Sequence, residues 1–161
     1  MTTSAIPRLG RRGGGWVALQ FLLLGALTVL GGIDRDGWPE GYRSGLRYLG
    51  VLVISAGTVV AVLAVTRLGA ALTAAPAPIE GARLRTDGVY GVVRHPIYSA
   101  LLLITTGFAL GTTPWAFVVV ALLTAVLELK RRVEEDFLSA TYPEYADYRH
   151  EVPCALVPHI W

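Results

Sequence analysis

Three groups of side chains in the C-terminal half of this chain have types and spacings that chemistry could use. The first is Gly88-Val89-Tyr90-Gly91-Val92-Val93-Arg94-His95-Pro96-Ile97-Tyr98. Pro96 suits the first turn of a helix, where its missing N–H would have had no partner. Arg94 and His95 would then stand at a helix start, whose free N–H groups and partial positive charge favour a carboxylate or phosphate. Tyr98, one turn in, adds a ring face and a hydroxyl. A plain membrane-interface cluster, with arginine snorkelling and tyrosine in an aromatic belt, fits the same residues.

The second group is Glu128, Arg131, Arg132, Glu134 and Glu135. On a helix, Glu128, Arg131, Arg132 and Glu135 fall in one stripe at i, i+3, i+4 and i+7. Two adjacent carboxylates near a membrane are costly unless paired or bound to a cation, and a ligand with an ammonium or sulfonium group would supply one. A solvated helix end with internal ion pairs is the alternative. An arginine of this group, Arg131 or Arg132, could also orient a carboxylate by a bidentate pair. The third group is Tyr142, Tyr145 and Tyr148, followed by Val152-Pro153 and Val157-Pro158-His159. Tyrosines three apart put rings on one helical face, where they could stack on a flat heterocycle such as adenine or hold the tail against the membrane.

Other chemistries find little support. The one cysteine, Cys154, cannot form an internal disulfide or a cysteine-based zinc site, and His95, His150 and His159 lack metal-ligand spacing, so no metal is expected. A net charge of +2 without a basic, aromatic-rich cluster argues against nucleic acid as a partner.

The elements that must position these groups are apolar. Hydrophobic residues make up 53% of the 161 and charged residues 16%, against roughly 25% charged in a soluble domain. Too few polar groups remain to cover a surface in water, so lipid is the expected solvent. Trp16–Ile33 has 18 residues without a charge, reaching roughly 27 Å at helical rise. It reads as an uncleaved first helix, since Gly31-Gly32-Ile33-Asp34 makes a poor signal cleavage site. Asp34–Gly45 reads as a polar loop, and Leu46–Val65 as a second span with Arg47 at its edge. Arg67–Arg94, punctuated by Pro76, Pro78, Gly81, Gly88 and Gly91, reads as a long loop. A third helix is expected from Pro96 and Ile97 to Gly111, then a turn at Thr112-Thr113-Pro114, then a fourth helix over about Pro114–Ala140 that leaves the membrane partway.

This predicts an all-α integral membrane fold of four transmembrane helices, the last two a hairpin. It forms a single membrane domain over residues 1–161, with an N-terminal helical hairpin in 1–66 and a core in 67–161. Arg8, Arg11, Arg12, Arg67, Arg83, Arg85, Arg94, Lys130, Arg131, Arg132 and Arg149 fall on one side of that topology, and only Arg35, Arg43 and Arg47 on the other. The bias puts both termini and the long loop in the cytoplasm of a multi-pass protein, expected in a prokaryotic plasma membrane.

The ordered set Gly88 and Tyr90; Arg94, His95, Pro96 and Tyr98; Glu134 and Glu135; Tyr145 and Tyr148; Val152 and Pro153 resembles the isoprenylcysteine carboxyl methyltransferase family and the related phospholipid N-methyltransferases. Arg67-Leu68-Gly69 fits the same pattern, and the resemblance runs from about Arg67 to Pro158. It implies S-adenosyl-L-methionine as methyl donor, without a Rossmann fold. It implies a cofactor site of Gly88, Tyr90, Arg94, His95, Tyr98, Glu134, Glu135, Tyr145 and Tyr148, with Glu134 also in a catalytic set beside Arg131 and Arg132. The acceptor it implies is lipid-like or amphipathic, of the isoprenylcysteine carboxylate kind, entering from membrane lipid. Four spans are few for that family, so a homo-oligomer is expected to complete the lipid entry. Two other readings stay open. One is an NADPH-dependent membrane reductase of the sterol reductase type, suggested by the tail from Tyr148 to Trp161. The other is a non-catalytic membrane partner.

Overall fold

The computed structural model describes residues 6–34 and 36–158; Met1–Ala5, Arg35 and the His159-Ile160-Trp161 end of the tail lie outside the described residues. Uncharged apolar sequence gives α1, Gly14–Ile33. The second helix, α2, covers Glu40–Leu68 and starts earlier than its apolar stretch. Pro39 stands before its first turn and Glu40 in it, where a carboxylate complements the helix dipole. The polar residues up to Gly45, read above as loop, are therefore helical. A left-handed Gly69 (φ 54°) ends α2.

Prolines and glycines keep most of the next segment irregular, with single 3-10 turns at Gly69–Ala71 and Gly88–Gly91. Gly88 takes φ 62°, and a Cβ there would meet the Arg67 guanidinium, which pairs with Asp87 at 2.7 Å. Pro96 opens α3, Pro96–Gly111. After a turn, α4 runs unbroken over Ala116–Thr141, and α5 is a short tail helix, Tyr145–Glu151. Among the described residues no strand occurs.

Two seams hold the helices. The α2–α3 seam is backbone against backbone. A methyl on Gly50 would stand 2.5 Å from the Gly107 carbonyl oxygen, and one on Gly107 2.6 Å from that of Gly50. Such close approach of small residues is how helices associate where water does not drive them together. The α1–α4 seam is made of side chains. Leu27 packs on Ala116 and Val120, and Trp16 on Val126 and Val133. Tyr98, Leu123 and Leu127 join α3 to α4, and Ala155 and Leu156 of the tail complete that cluster.

At one end, Thr113 donates to the Asp34 carboxylate at 2.7 Å and the Trp38 indole to the Ala109 carbonyl at 3.2 Å. At the other, the N-terminal segment grips the long loop. Ala77 N–H donates to the Arg12 carbonyl, and Arg8 lies 4.8 Å over the Phe137 ring.

Two of the helical segments, Gly14–Ile33 and Glu40–Ala71, are long and apolar enough to cross a membrane, and only 17% of the most apolar window in each is buried. A core helix of a water-soluble protein would be covered. Here Leu22, Val29, Leu52 and Val59 stand exposed, as lipid-facing residues do. α3 is shorter, and α4 loses its apolar character after Leu129.

The glycine seam yields the first prediction. Gly107→Leu should destabilise by about 1–3 kcal/mol or more, as overpacking does, and lower the thermal unfolding midpoint in detergent. Gly25→Ala on α1, where a Cβ meets nothing within 4 Å, should leave the midpoint unchanged or raised.

Candidate functional site

One carboxylate oxygen organises the end of the molecule where α3 begins. Oε1 of Glu135 accepts Arg94 Nε at 3.1 Å and Nη2 at 3.0 Å, lies 3.1 Å from His95 Nε2, and pairs with Arg131 Nη1 at 2.8 Å. All four residues are buried or nearly so. Burial by itself would raise the Glu135 carboxyl. The His95 hydrogen bond and the charges of Arg131 and Arg94 outweigh it and hold the group well below the usual carboxylate range. Arg131 also pairs with Glu128 at 2.6 Å, and Arg132 with the same oxygen at 2.7 Å, so the helical stripe exists as internal ion pairs.

Arg94 has a second task. Its Nη1 donates to the carbonyls of Val152 at 2.7 Å and Pro153 at 2.6 Å. The tail is thereby drawn along the start of α3. Arg94 N–H donates to the Cys154 carbonyl and His95 N–H to that of Ala155, while Tyr98 and Ser99 N–H turn to the His95 carbonyl. The N–H groups of Arg94 and His95, which could have seated an anion at this helix start, are thus spent on the tail.

The tyrosines divide. Tyr148 donates its hydroxyl to the Tyr90 carbonyl at 2.7 Å and Tyr142 to the Ala82 carbonyl at 2.8 Å, stapling tail to loop. Tyr145 sits 1% exposed, its ring edge-on to Tyr148, and its hydroxyl has no hydrogen-bond partner among the described residues. Burial, with the charge of Glu135, pushes the Tyr145 phenol up, so it stays neutral; burial and Glu134 do the same to Tyr90.

These groups face a cavity of about 380 Å³. One wall is polar: Tyr90, Arg94, His95, Glu134 and Tyr145. Another is apolar: Leu68, Leu72, Ile97 and Leu101. The loop closes it with Pro76, Pro78, Arg83 and Arg85. Glu134 accepts the Tyr98 hydroxyl on Oε2 at 2.5 Å, with His95 Nδ1 at 3.8 Å from the same oxygen; Oε1 has no partner among the described residues. His95 stacks on Tyr98, centroids 5.5 Å apart. Adjacent helical residues diverge by about 100°, which is why Glu135 points into the ion-pair cluster and Glu134 into the cavity.

Of the residues singled out in the sequence groups, Tyr90, Arg94, His95, Ile97, Tyr98, Glu134, Tyr142, Tyr145 and Tyr148 line this cavity. Glu135 stands behind it. Gly88 shapes the turn that carries Tyr90. Arg131 and Arg132 lie outside the lining, tied to Glu128. Lys130 and Gln20, both in the lining, were not foreseen as site residues. Lys130, 2% exposed, donates to Gln20 Oε1 of α1 at 2.7 Å and stands 5.0 Å over the Tyr98 ring. Both left a signal: Gln20 is a polar residue inside an uncharged span, and Lys130 is one helical turn before Glu134. Among the described residues no cluster of metal-ligating side chains occurs.

A helical chain with two lipid-length apolar helices and a half-polar cavity has the features of a membrane-associated protein. Residues 46–145 match the family model for phospholipid methyltransferase, and the chain belongs to that family. The family includes the isoprenylcysteine carboxyl methyltransferase-like membrane enzymes, as the motif resemblance led one to expect. Membership implies a methyltransferase that associates with membranes, and enzymes of the family generally use S-adenosylmethionine. No curated protein and no solved structure matches the chain.

The carboxylate pair makes a paired prediction. Glu135→Gln leaves buried cations uncompensated and should cost about 3–5 kcal/mol, read as a large fall in unfolding midpoint; Glu134→Gln should cost far less. Because the folded Glu135 group is depressed, its contribution is complete above its ordinary value of 4.5 and fades as pH falls below that. Wild-type stability should therefore decline on acidification, and the Glu135→Gln profile should be flatter over the same range.

Proposed function

We propose that this chain transfers methyl groups from S-adenosylmethionine to a lipid-like or amphipathic acceptor at the cytoplasmic membrane face, as an isoprenylcysteine carboxyl methyltransferase-like enzyme. Four membrane passages with both ends cytoplasmic complete the reading. α1 and α2 are long enough to cross, the α3–α4 hairpin returns to its starting side, and the basic residues of the long loop and of α4 lie together on that side.

The observation that carries the proposal is the Tyr145 hydroxyl, buried and without a partner among the described residues, on the wall of a cavity that Glu134 also lines. A buried polar group without a partner costs about 1–3 kcal/mol, so the wall fits a ligand that brings hydrogen-bonding atoms and a positive charge. S-adenosylmethionine has both, in its amino-acid, ribose and adenine groups. When bound it supplies a methyl on a sulfonium centre, passed to a nucleophile while the bond pair stays on sulfur.

The chain's own residues would bind and orient. Glu134 would take the donor's ammonium. Tyr145 and Tyr90, held neutral, would meet its polar atoms, and Tyr98 and His95 would keep Glu134 turned inward. Arg94, Glu135 and Tyr148 act as positioning residues through the tail, and Gly88 through the Tyr90 turn. Arg131 acts in the same way through Glu135. Arg132, with over half its side chain exposed, is left at the surface beside Glu128. Orientation of donor and acceptor in the cavity would supply most of the rate.

Calorimetric titration with S-adenosylhomocysteine tests this reading. Wild-type protein in nanodiscs should bind it. Tyr145→Phe should weaken binding about fivefold, the loss of one hydrogen bond. Glu134→Ala should weaken it more than tenfold, as loss of a charged partner does. Binding of NADPH in place of S-adenosylhomocysteine would overturn it.

A further inference from the structure

Lys130 is the single lysine of the chain and its side chain is among the most completely buried. An ammonium in such a place normally pairs with a carboxylate. Lys130 does not. Among the described residues it makes no ion pair within 4 Å; its hydrogen bond goes to a neutral amide, Gln20, and its other neighbour is the face of Tyr98. Glu134, one helical turn on, acts on it only as a charge at longer range; it accepts the Tyr98 hydroxyl on one oxygen and leaves the other to the cavity. An ammonium has three donors, and Gln20 accepts one.

Position narrows what the remaining donors meet. Gln20 is six residues into α1, about 9 Å along its axis, and Lys130 is about 6 Å deeper along α4 than Glu134. Tyr145 and Tyr148 come from the tail helix α5, and Arg94 from the residues before α3 that hold the tail. Taken with the four passages proposed above, Lys130 lies on the membrane side of a cavity whose lining also holds apolar Ile97 and Leu101. A group arriving there comes with the lipid-soluble partner.

We propose that Lys130 selects the acceptor: its ammonium, steadied by Gln20 and the Tyr98 ring, receives an anionic oxygen of the acceptor's head, so the acceptor is an oxyanion amphiphile and not an amine. This rests on the cavity being the transfer site proposed above. A carboxylate brings its own nucleophilic electron pair and needs no base. An ammonium head would first have to lose a proton, and a buried lysine repels it. The anion could in principle be the methyl donor's own carboxylate, which the experiment separates.

Binding of dodecanoate and of dodecylamine is measured on wild-type protein in nanodiscs and on Lys130→Met, Lys130→Arg and Gln20→Leu, with S-adenosylhomocysteine titrated in parallel. Wild type should bind dodecanoate at least tenfold more tightly than dodecylamine. Lys130→Met should lose that preference and at least tenfold in dodecanoate affinity. Lys130→Arg should stay within about threefold of wild type, Gln20→Leu should fall between, and S-adenosylhomocysteine binding should hold throughout. Equal retention of the two amphiphiles by wild type, or unchanged dodecanoate binding in Lys130→Met, overturns the proposal. So does loss of S-adenosylhomocysteine binding in Lys130→Met with dodecanoate binding kept, which assigns the ammonium to the donor's carboxylate. Should wild type bind no S-adenosylhomocysteine, the functional reading fails, and the amphiphile arms still decide the role of Lys130. The wild-type comparison of the two amphiphiles stands even if Lys130→Met does not fold.

Discussion

Glu135 Oε1 is the point on which the rest of the site depends. It joins the residue pair before α3 to the far part of α4 through Arg94, His95 and Arg131. Fixing Arg94 fixes the tail, because the same guanidinium holds the Val152 and Pro153 carbonyls. A placed tail lets Tyr148 reach the Tyr90 carbonyl, and Tyr90 is cavity wall. Three donors converging on one buried oxygen are costly to desolvate. Their return is geometric: one cluster sets α3, α4, the loop and the tail against each other.

The paired glutamates show how neighbouring residues take different work. A helix turns about 100° per residue, so Glu134 and Glu135 cannot face one ligand with equal reach. Glu135 is the counter-ion of the scaffold, and Glu134 the carboxylate with capacity left. The same division runs through the tyrosines. Tyr142 and Tyr148 spend their hydroxyls on loop carbonyls, and that of Tyr145 meets no partner among the described residues.

Much of the fold was legible from apolar length and from proline and glycine. Trp16–Ile33, the irregular Arg67–Arg94 loop, the Pro96 start and the unbroken fourth helix all follow from them. The start of α2 was not, because Glu40–Gly45 is polar, and polarity was read as loop; helix-start chemistry at Pro39 and Glu40 overrides it. In the site, the motif residues were legible as a set, but their partners were not. That the N–H groups of Arg94 and His95 meet tail carbonyls depends on contacts 60 residues apart in sequence, which no local spacing reports. Gln20 and Lys130 escaped for a similar reason: each is unremarkable alone, and only the α1–α4 seam brings them together.

The two seams differ in a way that bears on access. Between α2 and α3, glycine backbones touch, and neither helix can shift without a clash at Gly50 or Gly107. Between α1 and α4 the contacts are side chains, which change rotamer more readily than backbones move. The cavity draws its walls from both sides of this arrangement, with Leu68 at the end of α2 and Gln20 on α1. The rigid seam carries His95 and Tyr98 and so keeps the polar wall in register. The Gln20–Lys130 bond lies on the adaptable side, the one the proposed amphiphile would use. Precision is thus concentrated at the polar wall, and adaptability at the wall that α1 and α4 build.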